Sequence, residues 1–108
     1  MKNLKKYISI IQKSFPAFSQ HEADQMLTSG EVRSYPAGTK LTVEGAYETT
    51  FFVLLEGEVQ VTKKFDENEE RLLKILRAGD FFGEMAIIHD APRAATITAL
   101  SEVKVLEI

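Results

Sequence analysis

The first thirty residues carry apolar side chains at helical spacing, and this pattern predicts two helices. The first helix has one apolar face, formed by Leu4, Tyr7, Ile8, Ile11 and Phe15. Pro16 ends it, because proline lacks the N–H that a helix interior requires. In the second helix, Ser19 and Glu22 have the spacing of a capping box, and Gly30 marks the end of the helix.

The apolar pattern changes at Glu31 from helical spacing to alternation, which is typical of strands. Turn-forming residues interrupt the alternation at regular intervals. Strands are expected near residues 31–35, 39–43, 49–55, 58–64, 71–77, 93–100 and 102–108. This arrangement predicts an α+β fold, in which N-terminal helices cover an antiparallel β jelly-roll or barrel of about eight strands.

Two neighbouring predicted strands indicate which side chains face the interior of the barrel. Val59 and Val61 alternate with polar residues, so they are expected to point inward. On the next strand, Leu73 and Ile75 are expected to point inward and Lys74 outward.

Length and composition narrow the possible functions. The 108 residues fit a single domain, 1–108, with helices over 1–30 and a β-roll over 31–108. The chain has no cysteine, which excludes disulfides, a thiolate nucleophile and a cysteine zinc site. Its net charge of −3 argues against direct contact with nucleic acid or an anionic membrane through bulk charge. No segment resembles a signal peptide or a membrane span, so a cytoplasmic location is expected.

The stretch 81–96 concentrates residues suited to binding a phosphate. Gly83 permits a tight turn, and the helical turn expected after it would point unpaired N–H groups outward. Pro92 stiffens the returning chain, and Arg93 brings back a permanently charged, planar guanidinium. Glu84 adds a carboxylate, which suits a ligand that also carries a hydroxyl group. The residues therefore predict a site for a small phosphorylated sugar compound.

The same stretch resembles the phosphate-binding cassette of the cyclic nucleotide-binding domain, here at residues 82–96. The family occurs in kinase regulatory subunits, gated channels and bacterial catabolite-activator-type regulators. The resemblance extends over nearly the whole chain, and it rests on Phe82-Gly83-Glu84 with Ala86, Pro92-Arg93-Ala94-Ala95-Thr96, Pro36-Ala37-Gly38, Glu44-Gly45, Gly57-Glu58-Val59 and Gly79-Asp80-Phe81. It implies a jelly-roll with a short helix in the cassette, and it favours a bacterial cAMP-binding regulator.

The resemblance assigns a role to each residue of the cassette. Arg93 would pair with the exocyclic oxygens of a 3′,5′-cyclic phosphate. Backbone amides around Gly83, Ala86 and Ala94 would assist it. Pro92 and Ala95 flank Arg93 and Ala94 and belong to the same predicted site. Glu84 would accept a hydrogen bond from the ribose 2′-hydroxyl. Val61, Leu73 and Met85 correspond to apolar positions near the base and sugar, although a barrel core would need such residues in any case.

Base selectivity is expected to follow from Ala94. A threonine at this place in the family offers a hydroxyl to the guanine amino group and favours cGMP. Alanine offers none, so cAMP is the expected ligand, with cGMP as the weaker one. No metal or other cofactor is expected.

We therefore expect a regulatory module that binds a cyclic nucleotide and passes occupancy to an effector in cis or in trans. In the family, helices that follow the last strand close over the base and often form a homodimer. The chain stops within an apolar strand at Ile108, so we expect it to be an excerpt that lacks those lid helices.

Two other classes of function, an enzyme and a structural or docking module, are alternatives to ligand sensing. A cupin-type metalloenzyme would need converging histidines, but only His21 and His89 are present, and no set is spaced for nucleophilic catalysis. No catalytic residue or metal ligand is therefore predicted. The remaining alternative is a structural or docking module with a vestigial pocket, against which the retained Gly83, Glu84 and Arg93 argue.

Overall fold

The computed structural model of the protein describes residues 4–83 and 91–108. The N-terminal part contains a 3-10 helix, Lys5–Tyr7, followed by α1, Ile8–Ser14, and α2, Gln20–Ser29. The strands within the described ranges are β1 Glu31–Tyr35, β2 Lys40–Thr42, β3 Phe52–Glu56, β4 Glu58–Asp66, β5 Glu69–Arg77, β6 Phe81–Phe82, β7 Thr96–Ala99 and β8 Val103–Glu107.

The strands form two antiparallel sheets, which confirms the predicted jelly-roll with N-terminal helices. One sheet has the order β1-β8-β3-β6 and the other the order β2-β7-β4-β5. The two-residue strand β6 was not predicted, because so short a segment carries no alternation. The short helix expected in the cassette falls on residues outside the described ranges.

The sheet that contains β3 and β8 is buried on both faces. Val53, Leu55 and Leu106 pack against the helices, whereas Leu54 and Val105 pack toward the other sheet. A strand covered on both faces loses the alternation of apolar and polar residues. This is why the apolar pattern of β8 changes phase at Leu106.

The N-terminal helices cover the outer face of this sheet. Tyr7 of the 3-10 helix and Ile11 of α1 are buried there, together with Ala23 and Leu27 of α2. Within the described ranges, no helix is long and apolar enough to cross a lipid bilayer.

The capping box predicted for α2 is present. The Ser19 hydroxyl accepts from the Glu22 N–H at 3.1 Å, and the Glu22 carboxylate accepts from the Ser19 N–H at 2.9 Å. These bonds satisfy two donors that would otherwise have no partner in the helix. The predicted end of the helix at Gly30 is also confirmed.

The predicted orientation of β5 is wrong. The register places Lys74 opposite Val61 and Leu76 opposite Val59, so Lys74 and Leu76 share the inner face of the sheet. A bulge then takes the pairing from Val61–Lys74 to Thr62–Leu72 and skips Leu73, which is 51% exposed. Residues 72–76, Leu-Leu-Lys-Ile-Leu, have apolar side chains in both phases of alternation, so pairing with β4, and not the local pattern, decided the inward face.

The capping box yields a stability prediction. Replacing Ser19→Ala should lower the free energy of unfolding by about 1 kcal/mol, because the N–H of Glu22 loses its acceptor. Urea denaturation measures the change. The control is Ser9→Ala on the exposed side of α1, where alanine's higher helix propensity should leave stability equal or slightly greater. Equal losses in both variants would contradict a capping role.

Candidate ligand-binding site

An open cavity of about 390 Å³ lies between the inner face of the second sheet and the turn that follows β6. Its walls are mainly apolar, and Arg93 and Lys74 are the charged residues among the described lining. Six residues predicted from the sequence line it: Val61, Gly83, Pro92, Arg93, Ala94 and Ala95. The pattern did not assign other lining residues to the site, which include Thr42, Lys74, Leu76 and Ile97, and it gave Phe82 only as part of the cassette motif.

Arg93 is buried at the wall of this cavity, with only 5% of the residue exposed. Its Nη1 donates to the carbonyl of Gly83 at 3.1 Å, and its Nη2 donates to the carbonyl of Thr50 at 2.6 Å. The backbone of Arg93 is also fixed, since its N–H donates to Ala46 and its carbonyl accepts from Gly45, both at 2.8 Å. These contacts with the protein fix the position of the guanidinium.

The described residues compensate the charge of Arg93 only partly. Among the described residues, its Nε is buried and makes no hydrogen bond. The nearest carboxylate oxygen in an ion pair is Oε2 of Glu48, at 3.9 Å from Nε, and the Glu48 side chain is 45% exposed. Carbonyl dipoles solvate a buried cation less completely than a paired anion does. An anion that enters the cavity next to Arg93 would supply the missing compensation.

Gly83 brings the turn after β6 into contact with Arg93. Its φ of +95° lies in the region that favours glycine. A Cβ atom here would lie 2.6 Å from the carbonyl oxygen of Thr50 and 2.8 Å from Nη1 of Arg93. Both the backbone angle and the close approach therefore require glycine.

A second set of contacts fixes the chain that leaves Arg93. Lys63 Nζ donates to the carbonyl of Ala94 at 2.8 Å and to the Glu44 carboxylate at 3.2 Å. The same carboxylate accepts from the N–H of Lys64 at 2.9 Å. This N–H, aided by the Lys63 ammonium and opposed by partial burial, holds the pKa of Glu44 below its usual value. The sequence analysis missed this role of Lys63, which is distant from Ala94 along the chain.

The remaining predicted site residues are not part of this arrangement as described. Leu73 does not line the cavity, and its place on the sheet face is taken by Lys74. Glu84, Met85 and Ala86 lie outside the described residues. Their assignments remain predictions. Among the described residues, no cluster of histidine, aspartate or glutamate is arranged to hold a metal ion.

Comparison with known proteins identifies the family. The family described as cyclic nucleotide-binding domain matches residues 32–108. The chain belongs to this family. The match covers the β-roll, the walls of the cavity and the Arg93 contacts.

Several regulatory subunits contain a similar cyclic nucleotide-binding domain. The cAMP-dependent protein kinase regulatory subunit of Neurospora crassa is 36% identical over 88 residues, which are 82% of this chain and 22% of that protein. The corresponding subunit of Aspergillus fumigatus is 43% identical over 74 residues, 68% of this chain and 17% of that protein. The chain thus spans about a fifth of the length of these relatives.

Solved structures confirm the fold of the cyclic nucleotide-binding domain. The regulatory domain of Toxoplasma gondii PKA, crystallised with cAMP, superposes with a TM-score of 0.85 at 27% identity, over 100% of this chain and 43% of that chain. Thermus thermophilus catabolite activator protein superposes with a TM-score of 0.83 at 25% identity, over 89% and 45% of the two chains. These relatives are regulatory subunits and binding domains, in agreement with the prediction that the chain is not an enzyme. The expected bacterial origin remains a prediction.

The geometry at Gly83 leads to a prediction for the site. Gly83→Ala should abolish measurable binding of cAMP to the domain, because the added Cβ displaces either Thr50 or the Arg93 guanidinium. The matched control is Gly38→Ala, since Gly38 has a φ of +90° and nothing within 4 Å of its Cβ position. Both variants carry strain of about 1 kcal/mol or more. Isothermal titration with cAMP and urea denaturation separate binding from stability, and equal binding by the two variants would contradict the steric argument.

Proposed function

We propose that this domain binds a 3′,5′-cyclic nucleotide in the cavity, with the cyclic phosphate against Arg93. The observation that carries the proposal is a buried guanidinium, incompletely paired by the described residues, in the wall of a mainly apolar cavity. Charge-assisted bonds from a planar guanidinium suit phosphate oxygens, and the apolar walls suit a nucleoside. The carbonyls of Gly83 and Thr50 keep the guanidinium in place, so little ordering is needed on binding.

The residues outside the described ranges complete the proposed site. The resemblance to the family gives Glu84 the ribose 2′-hydroxyl and gives Ala86 a backbone contact with the phosphate. Met85, with Val61, would contact the sugar or base. In this proposal the ribose phosphate lies at the cassette and the base extends along the sheet.

We propose that cAMP is preferred over cGMP. Ala94 lines the cavity one residue after Arg93, and it has no hydroxyl to accept or donate a bond at the base. A guanine amino group placed there would lose its water partners without gaining another. This argument concerns only the end of the base that approaches Ala94.

Occupancy is proposed to reach an effector in cis or in trans, as the regulatory-subunit relatives suggest. The turn that carries Gly83 follows β6, whose Phe82 lines the cavity. The adjacent Phe81 stacks on Phe15, next to α1, with ring centroids 5.1 Å apart, and lies 5.7 Å from Phe51. Movement of this turn would therefore change the contact between Phe81 and Phe15, which follows α1. Formation of a homodimer remains part of the proposal.

The Arg93 contact can be tested by substitution. Arg93→Ala should weaken cAMP binding by about 2–5 kcal/mol, because a buried charged partner of the phosphate is lost. This corresponds to roughly thirty- to several-thousand-fold in dissociation constant. Calorimetric titration measures the loss.

The controls separate binding from folding. Arg77→Ala removes an exposed arginine that pairs with Glu58 and should leave cAMP affinity unchanged. Arg93→Lys keeps the charge but not the planar fork, so its affinity should fall between those of the wild type and Arg93→Ala. Denaturation of each variant shows whether the carbonyl contacts were needed for folding. A folded Arg93→Ala domain with unchanged affinity for cAMP would contradict the proposed phosphate site.

A vestigial pocket is the alternative, and thermal melting distinguishes it. Cyclic nucleotide at about a hundred times its dissociation constant should add ~2.7 kcal/mol of stability to a binding domain. The midpoint of unfolding would rise by on the order of ten degrees for a domain of this size. A structural module with a vestigial pocket would show no shift with cAMP or cGMP.

Ala94 yields a separate prediction on selectivity. Ala94→Thr should raise affinity for cGMP relative to cAMP by roughly tenfold, the value of one good hydrogen bond. The ratio of the two dissociation constants is the measured quantity. Ala94→Val is the matched control, because valine has the shape of threonine without its hydroxyl. An equal change in both variants would assign the effect to shape and not to the hydroxyl.

A further inference from the structure

Two side chains bind the successive carbonyls of Ala94 and Ala95 at the wall of the cavity. Lys63 Nζ donates to the carbonyl of Ala94 at 2.8 Å, and Thr42 Oγ1 donates to the carbonyl of Ala95 at 3.2 Å. Both alanines precede β7, so they come before the regularly paired strand. The two donors lie on β4 and β2, the strands on either side of β7, and the segment is therefore held from both sides.

The hydroxyl of Thr42 is buried in an apolar setting. The residue is 2% exposed, and it lines the mainly apolar cavity. Burying a hydroxyl costs free energy that a hydrogen bond only offsets, whereas valine would fill the same space without that cost. Packing alone therefore does not account for a threonine here, and its bond to Ala95 indicates a role in holding the backbone.

Lys63 acts through its hydrogen bond and not through a free charge. Its ammonium also donates to the Glu44 carboxylate at 3.2 Å, so the charge is already paired. Lys63 is not among the described residues that line the cavity. Its contact with the site is therefore the bond to the carbonyl of Ala94.

These bonds order the backbone that follows Arg93. A trans peptide group is planar, so a carbonyl that is held also fixes the N–H of the next residue. The carbonyl of Arg93 itself accepts from the N–H of Gly45 at 2.8 Å. Three successive carbonyls, from Arg93 to Ala95, are therefore each bound by a donor from a distant part of the chain. A phosphate that binds at Arg93 meets a backbone that is already ordered.

We infer that Thr42 and Lys63 are positioning residues for the proposed phosphate contact. They hold the two peptide groups after Arg93 and so keep this segment in the orientation that receives the phosphate. The inference rests on the proposed function, because it needs an anion at Arg93. Without either bond the segment samples more conformations, and ordering it again on binding opposes the binding of the nucleotide.

The test is calorimetric titration with cAMP on two pairs of variants. Thr42→Val removes the hydroxyl at nearly constant shape, and Thr98→Val makes the same change on the opposite face of β7, where both neighbouring residues of the strand face the core. Lys63→Met removes the donor to Ala94, and Lys64→Met removes the charge of the exposed residue next to it. Urea denaturation shows that each variant is folded.

Thr42→Val and Lys63→Met should each weaken cAMP binding by about fivefold, the effect of one lost hydrogen bond and the added disorder. The two control variants should bind like the wild type. Thr42→Ser keeps a hydroxyl and should restore most of the affinity. The loss in Lys63→Met should persist at high salt, whereas a loss that disappears there would show attraction between charges and would overturn the role of Lys63.

A double-mutant cycle with Arg93→Lys separates positioning of the phosphate contact from a general structural effect. Substitutions that act through Arg93 should lose most of their effect in the Arg93→Lys background. An equal loss in both backgrounds, or unchanged affinity in either folded single variant, overturns the inference. Failure of the proposed function is distinguishable, since the wild-type domain would then not bind cAMP.

Discussion

The structure of the site depends on one buried guanidinium held by two backbone carbonyls. Arg93 connects the loop before β3, through Thr50, with the turn after β6, through Gly83. Neither carbonyl is charged, and within residues 4–83 and 91–108 the reported ion pair of Arg93 is the long one to the half-exposed Glu48, so the cation is positioned but only partly neutralised by the described residues. This is a costly arrangement for a structural arginine, and it is useful for one that must receive an anion.

The rest of the fold keeps this arginine in place. The sheet that contains β3 and β8 is packed on both faces, by the helices on one side and by the second sheet on the other. Thr50 precedes β3, and β6 pairs with β3 at Phe52 and Val53. The two carbonyls that hold Arg93 therefore lie next to β3, in which four of the five residues are buried.

The second sheet supplies the other wall, and its contacts fix the chain around Ala94. Lys63 on β4 binds both the Ala94 carbonyl and Glu44, which joins β4 to the loop after β2. The position of Ala94 is thus set by strand pairing and not by local turn chemistry. Lys74, on β5, belongs to the same sheet. The proposed phosphate end depends instead on Arg93, which precedes β7 of the second sheet and donates to the carbonyls of Thr50 and Gly83 next to the first sheet.

The sequence by itself determined the elements, and it singled out Gly83 and Arg93, the residues of the proposed phosphate end. Helical spacing, the capping box at Ser19 and the alternation at Val59 and Val61 are local patterns, and local patterns fix the period of an element. Gly83 and Arg93 could be assigned to one site because glycine adopts backbone angles closed to other residues and arginine carries a permanently charged, planar guanidinium. Only the tertiary structure decided which face of β5 turns inward, which carbonyls hold Arg93 and which lysine reaches Ala94. Those outcomes depend on the register between distant strands, and a shift of one residue exchanges the two faces of a strand, as Leu73 and Lys74 show.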